Sequence, residues 1–192
     1  STVVNTRAGT VTACRRAKLA PVAGGQIVKL WVKEGDRVEA GQPLLELWNR
    51  DLAAQRELAT RQLATSEERR REACIMADNS KRDADRTAQL AAKGFISPQS
   101  TENARAEARA RDANCNALAA DVKRAQAQIR VMQAGLERTT LNAPFSGIVA
   151  QVTGEIGEVT TPSPPGIPTP PAVDLIDDTC LYISAPMDEV DA

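Results

Sequence analysis

The chain contains no histidine. That excludes histidine-based catalytic triads and histidine-containing metal sites. Its four cysteines stand at 14, 74, 115 and 180 with no C-x-x-C spacing, which excludes a zinc knuckle or a thioredoxin-type motif. No G-x-x-x-x-G-K-[ST] loop occurs, so any use of nucleotide belongs to a partner. Aromatic residues make up only 3% of the 192, and alanine is heavily used, which argues against a thick globular core and for an elongated protein. No apolar run approaches the roughly 20 residues that span a bilayer, and the start has no signal-peptide pattern. The formal net charge is -1, which gives no reason to expect nucleic acid or an acidic membrane surface as a partner. Carboxylates are plentiful but lie along helix faces, where solvation is their default role. The chain is therefore read as non-catalytic, with no cofactor and no metal.

What is present is helix. From about Asp51 to Lys93 and from Gln99 to Glu137 the residues are strong helix formers, with no glycine or proline before Gly135. Between the two runs stands "KGFISP". Gly94 suits the left-handed conformation that ends a helix, and Lys93 places a cation at its carbonyl end. Ser97 can cap the next helix, and Pro98 fits its first position. One helix stops and another starts within about four residues, so the two are expected to run antiparallel. In the second helix, Cys115, Leu118, Val122, Ala125, Ile129, Met132 and Leu136 alternate steps of three and four, an unbroken seam. The first answers with Leu52, Ala59, Leu63, Ala73, Ala77, Ala84 and Ala91, interrupted by Arg56, Ser66 and Arg70. Its small residues imply close approach of the backbones. The triplet Arg69, Arg70 and Arg71, surrounded by glutamates, reads as a solvated face.

On either side of the helices lies a repeat. "LAPVAGGQIVKLWVKEGDRVEAGQPLLEL" precedes them and "LNAPFSGIVAQVTGEIGEV" follows. Both carry Ala-Pro, at Ala20-Pro21 and Ala143-Pro144, and each has a pair of matching glycines, Gly25 with Gly35 and Gly147 with Gly157. Ile27, Leu30 and Val32 in one copy correspond to Val149, Val152 and Gly154 in the other, flanked by polar residues as half-buried strands require. Neither copy can bury a core alone, so the two must pack on each other. The helical hairpin is then an insertion in one small β-domain.

These residues resemble a biotinyl/lipoyl-type flattened barrel. In carriers of that type a modified lysine stands on the turn between the halves; here residues 49 to 138 replace that turn, and the local "LWNRD" has no lysine. A lipoyl-like domain split by a helical hairpin resembles instead the periplasmic adaptors, or membrane fusion proteins, of bacterial efflux pumps and type I secretion systems. The closing "VDLIDDTCLYISAPMDEVDA" is similar to the passage where such chains enter a β-barrel domain, and the opening strand, Val11 to Arg16, would supply another part of it.

The resemblance implies an α+β fold, in which a long antiparallel coiled-coil hairpin (49–138) is inserted between the halves of a lipoyl-like β-domain (19–48 and 139–172), with part of a β-barrel domain (1–18 and 173–192). It implies an adaptor joining an inner-membrane transporter to a TolC-like outer-membrane channel, in the periplasm, with an inner-membrane anchor outside this sequence. The "SAPMDEVD" passage leans towards an ABC exporter as the transporter. A closed ring, commonly of six subunits, is implied as well. With helices of about 40 residues, the bend would stand on the order of 60 Å from the lipoyl-like domain. Adaptors that dock on TolC-type channels carry arginine, leucine and serine at set spacings at the bend, and Arg86, Leu90 and Ser97 match them. Gly94, Phe95 and Ile96 complete the expected docking end. Two other readings stand beside this one: a lipoyl- or biotin-type carrier subunit, and a structural coiled-coil protein without a role in transport.

Two further expectations concern loops and thiols. "TTPSPPGIPTPP", Thr160 to Pro171, departs from the family pattern and must be a stiff, extended loop, facing a lumen or a neighbouring subunit, or merely lying at the surface. Cys74 and Cys115 lie equally far from the turn of the hairpin and should face each other across its seam. In an oxidising periplasm they form a disulfide if their Cα atoms approach within roughly 7 Å, or otherwise pack as two thiols. Cys14 and Cys180, on strands expected to be neighbours, are the weaker second pair.

Overall fold

The computed structural model describes residues 9–162 and 172–184. Ten strands and two helices follow in the order β1 (Thr10–Ala13), β2 (Arg16–Leu19), β3 (Gly25–Leu30), β4 (Arg37–Val38), β5 (Pro43–Leu47), α1 (Arg50–Ala92), α2 (Pro98–Glu137), β6 (Thr140–Asn142), β7 (Gly147–Val152), β8 (Val159–Thr160), β9 (Val173–Ile176) and β10 (Leu181–Ser184). They divide into two compact units, residues 50–135 and the remainder.

The β-unit shows why the sequence repeats. Its two four-stranded sheets run β6-β5-β3-β8 and β2-β9-β7-β4. Strand β8, from the second copy, pairs with β3 of the first, and β4, from the first copy, pairs with β7 of the second. Each half thus completes the other's sheet. Backbone bonds repeat the exchange: the Gly35 N–H donates to the Val149 carbonyl at 2.8 Å and the Val149 N–H to the Asp36 carbonyl at 2.9 Å. In the other copy Gly157 donates to Ile27, and Ile27 to Glu158, both at 2.8 Å. Ile27 and Val149, so placed, are both fully buried, packed in one core with Val38, Leu44, Leu45, Leu47, Val173 and Leu175. Burying each such side chain contributes about 1.5–3 kcal/mol, which is how two short repeats of few aromatics hold together. Gly147 has no alternative here, since a Cβ on it would lie 2.1 Å from the Ile176 carbonyl oxygen.

Within this unit the residues that flank the insertion are bonded to each other. Asn49, just before α1, donates through its side-chain amide to Thr139 Oγ1 at 3.0 Å, and the Leu47 N–H donates to the Thr139 carbonyl at 2.8 Å. The entry and exit of the insertion are thereby tied to each other.

The opening strand differs from expectation. Residues 11–16 are not one strand but the end of β1 and the start of β2, broken at Cys14 and Arg15. β1 pairs with β10 in a separate two-stranded sheet, while β2 pairs with β9 in the four-stranded one. Residues 16–18 and 173–176, expected above in the partial barrel, pair with each other within that four-stranded sheet. Arg16 and Asp174 explain the early return: they form an ion pair that fastens β2 to β9. A search for apolar alternation does not register that contact. Of the proline-rich segment, residues 163–171 lie outside the described residues, as do residues 185–192 of the closing passage.

In the second unit α1 and α2 run for 43 and 40 residues, roughly 60 Å each at 1.5 Å per residue. Ala59, Ala73, Ala77 and Ala84 are the buried residues of α1, so its seam is built of the smallest side chains that a helix favours. On α2, Val122 is buried and the other seam residues are half-buried. Arg56 and Arg70, which interrupt the α1 stripe, are exposed, whereas Ser66 is half-buried. Arg69, Arg70 and Arg71 all face solvent.

Candidate functional site

The corner between the helices is built from backbone bonds. Gly94 has φ +79, a left-handed conformation that side chains disfavour. This turn lets the Gly94 N–H donate to the Ala91 carbonyl and the Phe95 N–H to the Leu90 carbonyl, both at 3.0 Å. The pair of bonds is a Schellman motif, which satisfies carbonyls that the end of α1 leaves open. On the other side Ser97 Oγ accepts from the Ser100 N–H at 3.3 Å and shares a hydrogen bond with Ser100 Oγ at 3.0 Å. It caps α2, whose first residue is Pro98.

This geometry places each of the six residues named for the corner. Arg86 and Leu90 lie one turn apart on α1 and so share a face. The Arg86 side chain is 70% exposed and approaches Asp83 at 3.5 Å, an exposed pair of small energetic worth. Leu90 is 39% and Phe95 73% exposed, while Ile96 is half-buried. Ser97 is exposed, but its hydroxyl is engaged in capping. Gly94 serves the turn itself. The result is an apolar ridge, Leu90 and Phe95, with a guanidinium one turn from Leu90. Such a surface can take apolar contacts and offer forked donors to carbonyls or carboxylates.

Thr101, four residues past the Ser97 cap of α2, was not identified from the sequence. It is only 8% exposed, and its Oγ1 has no hydrogen-bond partner. It lines a groove beside the corner with Ala91, Pro98, Glu102, Arg105 and Arg109. Its place on the seam, seven residues before Ala108 and fourteen before Cys115, was the available signal, masked because threonine is polar.

The cysteines pair as Cys74 with Cys115, Cα atoms 4.7 Å apart, and Cys14 with Cys180, 5.4 Å apart. Among the described residues no cluster of His, Cys, Asp or Glu could hold a metal ion, and no helix is long and apolar enough to cross a membrane. The perturbed carboxylates lie in the β-unit. Asp177 is lowered to about 2, by bonds from the Thr179 hydroxyl, the Arg15 guanidinium and the Thr179 N–H. Asp174 is lowered mainly by its bonds from Arg16, against the opposing cost of burial. Both are structural ion pairs rather than reactive groups.

A helical hairpin between exchanged halves of a β-domain defines a class of protein, and sequence comparison identifies it. The family model "RND MFP, barrel-sandwich hybrid domain" matches residues 15–165. The chain belongs to the membrane fusion protein, or periplasmic adaptor, family. Multidrug resistance protein MdtA of Photorhabdus laumondii is 29% identical over 149 residues, 78% of this chain and 32% of that protein. Multidrug resistance protein MdtE of Escherichia coli K12 is 26% identical over 142 residues, covering 74% and 31%. The chain thus spans about a third of the length of the curated relatives it matches. In fold it is similar to MacA from Actinobacillus actinomycetemcomitans, with a TM-score of 0.82 at 19% identity over 95% of this chain and 56% of that one. The periplasmic adaptor EmrA gives 0.60 at 15% identity, covering 96% and 78%.

Proposed function

We propose that this chain is the hairpin-bearing part of a periplasmic adaptor that joins an inner-membrane transporter to a TolC-like outer-membrane channel, for efflux or secretion. The observation that carries the reading is the corner: a glycine-built turn in a chain of this family presents Arg86, Leu90 and Phe95 together to solvent. Docking is assigned to Arg86, Leu90 and Phe95, with Ile96 beside them and Gly94 and Ser97 setting the turn. The multidrug resistance proteins MdtA and MdtE among its relatives support efflux as the activity.

The remaining parts follow the same reading. β1 and β10 form part of a β-barrel domain, the exchanged sheets form the lipoyl-like domain, and the adaptor is anchored to the inner membrane. It assembles as a closed ring of six, since a single subunit cannot enclose a conduit. An ABC exporter is assigned as inner-membrane partner on the likeness of the "SAPMDEVD" passage. The RND description of the matched family model favours a second reading, in which that partner is an RND transporter. A photo-crosslinker at position 95 of the full-length protein, expressed in its own cell envelope, tests the docking end. It should capture the outer-membrane channel; capture of only the inner-membrane transporter would reverse the assignment.

A further inference from the structure

The two disulfides sit in unlike surroundings. Cys74 and Cys115 are half-buried in the seam between α1 and α2, whereas Cys14 and Cys180 are both exposed. The exposed pair lies where one sheet gives way to another. The β1·β10 register runs from Thr10↔Ser184 to Ala13↔Leu181, and the β2·β9 register resumes at Arg16↔Ile176. Between these points one strand has residues 14–15 and the other 177–180, with Asp178 and Thr179 turned out of the ladder. This unequal length interrupts the ladder, as a bulge does, and splits its pairing into two sheets.

Among the described strands, β1 and β10 pair only with each other. A two-stranded ribbon of this kind is marginal by itself, and Val11, Leu181, Tyr182 and Ile183 on it are exposed. What holds it to the four-stranded sheet is the joint. The Cys14 N–H donates to the Cys180 carbonyl at 3.0 Å, and the Asp177 N–H to the Arg15 carbonyl at 2.9 Å. The Arg15 guanidinium bonds Asp177 Oδ2 at 2.7 Å and lies 4.7 Å from the centre of the Phe145 ring. The disulfide is the one covalent cross-link in that set.

We propose that Cys14–Cys180 is a thiol–disulfide exchange site whose substrate class is a dithiol reductant, and that its reduction loosens the joint between the β1·β10 ribbon and the lipoyl-like sheets. Cys74–Cys115 is the structural bond of the pair. Exchange needs a thiolate to reach a disulfide sulfur in line, so access governs which bond reacts. One thiolate of the dithiol attacks Cys14 or Cys180, forming a mixed disulfide and releasing the other cysteine as a thiolate, which takes a proton. The second thiolate of the reductant then displaces the protein sulfur, which is protonated in turn. Two electrons and two protons have passed to the cysteine pair, and the reductant has become a disulfide.

Oxidised protein, as the 192-residue chain and as the full-length protein, should be titrated with dithiothreitol, trapped with a maleimide and mapped by peptide mass. Cys14 and Cys180 should become labelled at least about tenfold faster than Cys74 and Cys115. At that stage amide exchange in Thr10–Ala13 and Leu181–Ser184 should rise by at least about tenfold, while amides of β3 and β7 stay protected. The Cys14→Ser, Cys180→Ser double variant should show the same exchange without reductant; should it fail to fold, the partly reduced wild-type protein supplies the reading. Earlier labelling of Cys74 and Cys115, or unchanged ribbon protection once Cys14 and Cys180 are labelled, would overturn the proposal.

Discussion

The backbone amide of Phe95 donates to the carbonyl of Leu90, so the two exposed apolar residues of the corner are also the two that close the turn. A Schellman motif often sets an apolar contact between these same positions. Shape and surface are thus combined in one segment, and variants must be chosen to separate them.

Gly94 and Arg86 make that separation. Gly94 holds φ +79 with nothing within 4 Å of where a Cβ would stand, so Gly94→Ala meets no clash and costs only the left-handed conformation. That is about 1–2 kcal/mol, seen as a lower thermal midpoint of the hairpin. Arg86→Ala removes an exposed pair with Asp83 and should change stability by less than about 0.5 kcal/mol. An equal loss in both variants would show that Arg86 is part of the turn.

The hairpin depends on its cross-link. Its seam is mostly alanine on one side, and Cys74–Cys115 closes a loop with a sequence separation of 41. In the chain-entropy model such a loop stabilises by about 4 kcal/mol. The Cys74→Ala, Cys115→Ala variant should therefore lose helical signal at a much lower temperature than the oxidised protein. A midpoint unchanged within error would mean that the alanine seam suffices.

Much of this was legible in the sequence. The repeat marked two copies that pack on each other, and the nearly equal distances of Cys74 and Cys115 from the turn reflect the antiparallel register, both properties of spacing alone. The break at Cys14 and Arg15 was not legible, because "TVTACRRAKL" alternates well enough for one continuous strand. What divides it is the distant segment "DLIDDT", whose Asp174 and Asp177 pair with Arg16 and Arg15. Thr101 escaped for a related reason: burial is decided by the facing helix, not by the residue's own polarity.

The Arg15–Asp177 pair has a pH signature. The folded Asp177 carboxyl is lowered from 3.8 to about 2, so the unfolded chain takes up its proton first as pH falls. Its contribution is complete above about pH 4 and is lost as pH falls through about 2. Asp174, lowered as well, acts in the same direction. Denaturant midpoints of the β-unit should decline between pH 4 and 2, and decline less steeply in Asp177→Asn. Parallel curves for the two proteins would remove Asp177 from the acid response.

Export is the most direct test of docking at the corner. The full-length adaptor carrying Arg86→Asp and Leu90→Asp should be expressed in cells that lack the wild-type protein, with its level, helix content and stimulation of the inner-membrane transporter checked alongside. Docking at the corner predicts that export, or resistance to the exported compound, falls to that of cells without the adaptor while those three controls stay normal. Full export at normal protein level would contradict it.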